Sequence, residues 1–264
     1  MRLHAEVRGR GPGLLLLHGW GMNAAVWTPL LAPLAAHFRL TLIELPGHGA
    51  SGYDPTAVTL DDWAGAVLEA APRRAAWLGW SLGGQIALRA ALLEPARVER
   101  LLLVAANPSF VRRDDWPHAM DGATLEQFAA ALLEQPRQTL ERFLSLQVRG
   151  DEAARETLRL LRQEIARRPA PDPRALERGL ALLRNVDLRA QLARIACPML
   201  WLLGERDSLV PAALDAELER WVPAARRVIL PGCAHAPFLS HPEQSLRALM
   251  AFMGVSDAGN AASH

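Results

Sequence analysis

Short apolar runs punctuate the first hundred positions, and each gives way to a stretch in which apolar residues recur every three or four positions. The runs predict strands at 3–7, 14–18, 40–44, 75–78 and 100–104. The stretches between them predict helices at 24–37, 60–71 and 82–94. Such alternation builds a parallel sheet with helices on both faces. The rhythm changes at 108. From there to about 184 the pattern reads as helix only, at 124–134, 137–149, 152–168 and 174–183, with breaks near Pro136, Gly150 and the proline-rich 169–173. Alternation then resumes with a strand at 199–203, a helix at 212–221, a strand at 227–230 and a helix at 242–252. The predicted architecture is one α/β core (1–107 and 185–264), mostly parallel in its sheet, interrupted by a helical cap (108–184). An insertion after the C-terminal end of a strand sits over the ligand-binding edge of such a sheet. The last ten residues are small and polar and are expected to fray.

Composition narrows the partners. In 264 residues, half are hydrophobic and 22% are charged, which excludes a disordered chain and suits one large domain. The 29 basic and 28 acidic residues leave a net charge of +1, so nothing global points to nucleic acid or a membrane surface. Every basic residue is arginine. Schiff-base chemistry and a lysine general base are therefore unavailable. Two cysteines, Cys197 and Cys233, make neither a disulfide framework nor a four-ligand zinc site. The first residues lack a signal-peptide pattern, and the expected location is the cytoplasm.

The chemistry concentrates at Gly79-Trp80-Ser81-Leu82-Gly83-Gly84, between a predicted strand and a predicted helix. A serine on so sharp a turn is thrust above the sheet at a helix N-terminus, and the glycines are needed because side chains there would strike neighbouring backbone. The five-residue pattern arises by chance about 0.1 times in a chain of this length, so its strand–turn–helix context carries the weight. A serine nucleophile needs a base, and the base needs an orienting carboxylate. Asp207 follows the strand at 199–203, and His235 follows the strand at 227–230. Both therefore belong at the same sheet edge as Ser81, in the chain order this kind of site uses. Glu205 is an alternative orienter. His241 reads as a capping or surface histidine and Asp187 as a helix cap. Acyl transfer also needs donors for the developing oxyanion. The Leu82 N–H at the helix start is one, and the Trp20 N–H in the glycine-flanked loop His18-Gly19-Trp20-Gly21 is the second. Trp27, Trp63, Trp77 and Trp201 read as core, while Trp20 and Trp80 adjoin the catalytic loops.

With LLHGWGMNAAVW, LGWSLGG, GERD and AHAPFLSHP in order along the chain, the sequence resembles the α/β-hydrolase family over nearly its whole length. Within that family ERFLSLQ and the NVDLR segment are similar to the carboxylesterases that act on a pimeloyl methyl ester carried by acyl carrier protein, in biotin precursor synthesis. The resemblance implies a Ser81, Asp207, His235 triad, with no cofactor and no metal. It implies substrate contacts from Trp20, Ser81, Leu82, His235 and the 143–147 segment, notably Phe143 and Gln147. It also implies an acyl carrier protein docked on cap arginines that match Arg142, Arg155 and Arg159. Gln138 stands where the family has a further arginine, with Arg137 beside it. Apart from the resemblance, Arg155, Arg159 and Arg162 share one face of their predicted helix, beside an apolar stripe of Ala154, Leu158, Leu161 and Ile165. Glu152 and Glu156 are their alternative, intrahelical partners. A monomer is expected. A broad-specificity esterase or lactonase, a C–C hydrolase of the same fold, and a non-catalytic binding protein are the other readings.

Overall fold

The computed structural model describes residues 1–255. The small, polar end of the chain, expected to fray, lies outside the described residues apart from Val255. Seven strands form one sheet: β1 (Ala5–Arg8), β2 (Gly13–Leu17), β3 (Arg39–Ile43), β4 (Ala75–Trp80), β5 (Val98–Val104), β6 (Met199–Gly204) and β7 (Arg226–Leu230). Their spatial order is β1-β3-β2-β4-β5-β6-β7. All neighbours are parallel except β1, which runs antiparallel to β3.

The leucine run of β2 shows why these segments become central strands. Side chains alternate across a strand, so Leu15 and Leu17 join the core on one face while Leu14 and Leu16 join the core on the other. A strand buried on both faces has no polar position to spare, hence its continuous apolar sequence. The first face is covered by α2 (Leu60–Ala70), α3 (Leu82–Leu93) and α8 (Leu214–Trp221). The second is covered by α1 (Thr28–Ala35), the short α9 (Pro237–Ser240) and α10 (Pro242–Met253). Trp27, Trp63, Trp77 and Trp201 are fully buried, as their core reading requires.

Between β5 and β6 lie α4 (Gly122–Glu134), α5 (Pro136–Gln147), α6 (Ala154–Ala166) and α7 (Pro173–Asn185). Proline opens α5 and α7, where its missing N–H costs nothing. Asp121 and Asp172 cap α4 and α7 by accepting backbone N–H bonds. The predicted apolar stripe of α6 packs as expected, with Leu161 fully buried and Ala154, Leu158 and Ile165 against the same core.

Two expectations need correction. The stretch after Pro108 is not helical at its start: residues 110–120 fold back through isolated bridges between Val111 and Met120 and between Arg113 and Trp116. The cause is Trp116, whose buried indole N–H donates to Asn107 Oδ1 and to the Ser109 carbonyl. No periodic pattern announces such a hook. The predicted helix at 24–37 begins instead as a 3₁₀ turn over Ala24–Trp27, capped by Asn23, and becomes α-helical only at Thr28. Among the described residues, no helix is long and apolar enough to cross a membrane.

Candidate active site

Four loops leave the C-terminal edge of the sheet, after the neighbours β2 and β4 and, across β5, after β6 and β7, and each brings one part of the site. The turn after β4 carries Ser81, whose backbone is forced to φ 55° and ψ −119°. This is a left-handed conformation that a non-glycine residue holds only when its surroundings impose it. Here they do. A Cβ on Gly79 would lie 2.5 Å from the Gly83 carbonyl oxygen, one on Gly83 2.5 Å from the His18 carbonyl oxygen, and one on Gly84 2.4 Å from the Ala106 Cβ. The glycines thus let strand, turn and helix touch backbone to backbone. The Ser81 N–H is tied to the Val104 carbonyl at 3.0 Å, while the Gly84 and Gln85 N–H groups close the first helical turn on the Ser81 carbonyl.

Asp207 and His235 meet. The His235 Nδ1 lies 2.7 Å from Asp207 Oδ2. The other carboxylate oxygen of Asp207 accepts the backbone N–H groups of Leu209 and Val210, at 2.8 and 3.0 Å. With three bonds on one buried carboxylate, the aspartate is fixed and the imidazole proton is drawn to Nδ1. This leaves Nε2 as the basic atom, and Nε2 is buried with no hydrogen-bond partner among the described residues. Ser81, Asp207 and His235 are 4%, 4% and 1% exposed, so the constellation is nearly dry. Ser81 shows no hydrogen bond to His235. Glu205, the alternative orienter, does not touch the ring: it accepts the Gly232 N–H at 2.9 Å. His241 stands at the start of α10 without capping it, and Asp187 accepts the Arg189 N–H and pairs with the Arg189 guanidinium.

The backbone N–H groups of Trp20 and Leu82 meet no acceptor among the described residues, a condition that an anion-binding pair of donors must satisfy. The loop that presents Trp20 is braced by two histidines. His18 donates from Nδ1 to the Gly19 carbonyl and accepts the Leu45 N–H on Nε2. His48 donates from Nδ1 to the Pro46 carbonyl and accepts the Gly21 N–H on Nε2. Each ring therefore uses one nitrogen as donor and the other as acceptor, which only the neutral form can do. Burial, helped by the neighbouring His48, holds His18 down to about 3, and burial holds His48 down to about 4. Both stay uncharged at neutral pH. Sequence reasoning placed His18 in the loop but gave it no task, and it missed His48 altogether. The only signal was the spacing of two HG pairs at 18–19 and 48–49.

The substrate side is roofed by the inserted helices. Trp20 donates its indole N–H to the Leu176 carbonyl of α7 at 2.8 Å and meets Phe143 of α5 edge-to-face at 4.7 Å. A Cβ on Gly179 of α7 would fall 2.6 Å from Trp20 and 3.5 Å from Leu82. Phe143 and Gln147 are both buried, and the Gln147 Oε1 has no partner among the described residues. Trp80, also fully buried, donates its indole N–H to the His235 carbonyl at 2.8 Å. Arg142, Arg155, Arg159 and Gln138 are all exposed on the inserted helices. The arginine row is only partly free. Arg159 pairs with Glu156, as the intrahelical alternative anticipated, and Arg162 pairs with Glu141 of α5. Glu152 turns away to Arg206. Arg142 and Arg155 have no ion-pair partner among the described residues.

Gly19 tests the loop after β2. A Cβ there would stand 3.3 Å from both the Ser81 Cβ and the Trp80 ring. Gly19→Val should therefore push the donor loop away from Ser81 and lower kcat for a small p-nitrophenyl ester by roughly 10²-fold, the scale of one lost oxyanion donor. An unchanged kcat in the folded variant would place the second donor elsewhere.

Residues 14–248 match the Alpha/beta hydrolase family. Among curated relatives, the pimeloyl-[acyl-carrier protein] methyl ester esterase of Nitrosomonas europaea is 45% identical over 242 residues, covering 92% of this chain and 96% of that protein. The protein of the same name from Stenotrophomonas maltophilia is 46% identical over 254 residues, covering 96% and 97%. Among solved structures, an esterase from Exiguobacterium antarcticum superposes with a TM-score of 0.86 at 21% identity, over 96% of this chain and 95% of the other.

Proposed function

Because the chain belongs to the alpha/beta hydrolase family, we propose that it is a serine carboxylesterase that hydrolyses the methyl ester of a pimeloyl chain carried by acyl carrier protein, releasing methanol and the free acid. The observations that carry the chemistry are the strained Ser81 turn and, tied to the neighbouring Trp80 through its carbonyl, an Asp207-locked His235 whose Nε2 has no partner among the described residues. The names of relatives at 45% and 46% identity over nearly the whole chain support the substrate.

In this reading Ser81 Oγ attacks the ester carbonyl carbon and its proton passes to His235 Nε2. The carbonyl oxygen becomes an oxyanion held by the N–H groups of Trp20 and Leu82. The tetrahedral intermediate collapses, the C–O bond to the methoxy group breaks, and His235 returns the proton so that methanol leaves. Water then attacks the acyl-serine, giving its proton to His235, and a second collapse returns that proton to Ser81 as the acid is freed. Asp207 holds the ring and stabilises the transient imidazolium. Phe143 and Gln147 border the acyl chain, and residues 108–184 act as a cap over the 1–107 and 185–264 core.

The carrier-bound substrate presents a thioester as well as a methyl ester, and a serine nucleophile discriminates poorly between them on reactivity. Selectivity is then positional. A chain threaded under the cap with its carrier outside brings only the distal ester to Ser81. Arg142, Arg155 and Arg159 on the cap would steer an acidic carrier and set its register. The protein works in the cytoplasm as a monomer.

The test compares two substrates. Replacing Arg155 and Arg159 by glutamate should raise KM for the carrier-bound ester with kcat little changed. The penalty should shrink as salt screens exposed charges over about 8–10 Å. Hydrolysis of a small p-nitrophenyl ester should hardly alter. Equal rates on the carrier substrate at low salt, with the fold intact, would remove the arginines from docking. If the wild-type protein prefers the small ester to the carrier-bound one, it is a broad esterase.

A further inference from the structure

The catalytic histidine is held by the inserted helices as well as by the core, and we propose that Asp151, in the turn between α5 and α6, is a positioning residue for His235. The inference rests on the reading of His235 as the general base. From the core side, the Arg206 N–H donates to the Cys233 carbonyl at 2.9 Å, Glu205 accepts the Gly232 N–H, and Trp80 donates to the His235 carbonyl. From the insertion, three more bonds arrive. The Glu152 N–H donates to the Gly232 carbonyl at 2.9 Å, the His235 N–H donates to the Gln147 carbonyl at 3.0 Å, and the Ala234 N–H donates to Asp151 Oδ2 at 2.9 Å.

Two of these three come from the backbone of the insertion. Asp151 supplies the one side chain of the insertion that hydrogen-bonds the 232–235 loop among the described residues. Its second oxygen accepts the Ala153 N–H at 2.7 Å, just ahead of α6, and its own N–H donates to the Val148 carbonyl at the end of α5. The carboxylate is buried. One buried residue thus joins the end of α5 through its own N–H, and the start of α6 and the Cys233–Ala234 peptide, one residue ahead of His235, through its carboxylate. A carboxylate suits the task because it offers two acceptor oxygens to two N–H donors on different chain segments. Nδ1 of His235 is fixed by Asp207, but the direction of Nε2 also depends on where the His235 backbone sits. A sub-ångström drift there swings Nε2 from Ser81, and misplacement on that scale costs rate steeply. The strap also ties the cap to the catalytic base, so displacement of the α5–α6 turn and loss of base geometry are one event.

The experiment separates closure of the turn ahead of α6 from positioning. In Asp151→Ser, the short hydroxyl still accepts the Ala153 N–H, since serine closes the same kind of two-residue turn, but it cannot also reach Ala234. The variant should melt close to wild type by circular dichroism. Its kcat for p-nitrophenyl acetate should fall roughly tenfold to hundredfold with KM unchanged, the cost of a misplaced catalytic group. Asp151→Asn keeps the size but offers one oxygen to two donors, so its kcat should fall between the two. A folded Asp151→Ser protein with wild-type kcat, or one altered in KM alone, overturns the proposal. If Asp151→Ser fails to fold, wild-type kcat in Asp151→Asn does the same. The small ester keeps carrier docking out of the result. Were His235→Ala to hydrolyse it at the wild-type rate, the base assignment itself would fail, which is a different outcome from an indifferent Asp151.

Discussion

Replacing Ser81 by alanine should lower kcat for any ester by roughly 10⁴- to 10⁶-fold, the range of other triad serines. The fold should survive. Ser81 Oγ makes no hydrogen bond among the described residues, and alanine adds no atom to a turn already held at φ 55° by its glycine neighbours. Circular dichroism should therefore overlay that of the wild type while activity collapses. A folded variant within about tenfold of wild type would remove Ser81 from the chemistry.

The second large effect belongs to Asp207→Asn. One oxygen of Asp207 accepts two backbone N–H groups, and the other faces His235 Nδ1. An asparagine keeps the first pair by aiming its oxygen at Leu209 and Val210. Its NH₂ group must then face Nδ1, which can accept only by giving up its proton. The proton moves to Nε2, and the ring presents a donor where Ser81 needs an acceptor. The expected loss in kcat is about 10⁴-fold near neutral pH, with KM little changed, as in triads whose aspartate is made an amide. Steady-state kinetics on a small ester checks it. A loss under about tenfold would mean that Glu205 or another carboxylate can orient the ring.

Much of this was legible because the chemistry is local and the core is simple. A strand buried on both faces writes itself as a run such as Leu14–Leu17, and a strand-to-helix elbow writes itself in glycines because only glycine fits the contacts at 79, 83 and 84. Asp207 and His235 were found by the same logic, as residues just past the ends of strands that must share an edge with Ser81. What escaped the sequence is long-range and carries no period. His48 braces the donor loop from 27 positions away through the Gly21 N–H, and a neutral buried histidine looks in sequence like any other. Asp151 reads as a polar residue in a turn until the fold brings the 232–235 loop to it. The hook at 110–120 is set by one indole and one asparagine. The arginine row was visible as a helix face, but its pairing depended on Glu141 of the neighbouring helix and on Glu152, ahead of α6, going to Arg206 instead.

The bracing histidines also explain why the donor loop tolerates so open a sequence. The Gly19-Trp20-Gly21 backbone has little intrinsic preference, and a flexible loop must be ordered before its N–H groups could stabilise a developing charge. His18 holds the Gly19 carbonyl, His48 holds the Gly21 N–H, and α7 holds the Trp20 indole. The Trp20 N–H between them is left free to donate. The sheet loops and the inserted helices together therefore shape the 19–21 loop, just as both hold the His235 loop.

The most direct test of the account is the mass of the carrier after reaction. Methyl-pimeloyl acyl carrier protein incubated with the enzyme should lose the mass of one methylene group while keeping its thioester, with an equal amount of methanol released, and the Ser81→Ala protein should leave it untouched. Loss of the whole acyl chain, or an unchanged carrier beside rapid hydrolysis of small esters, would contradict it.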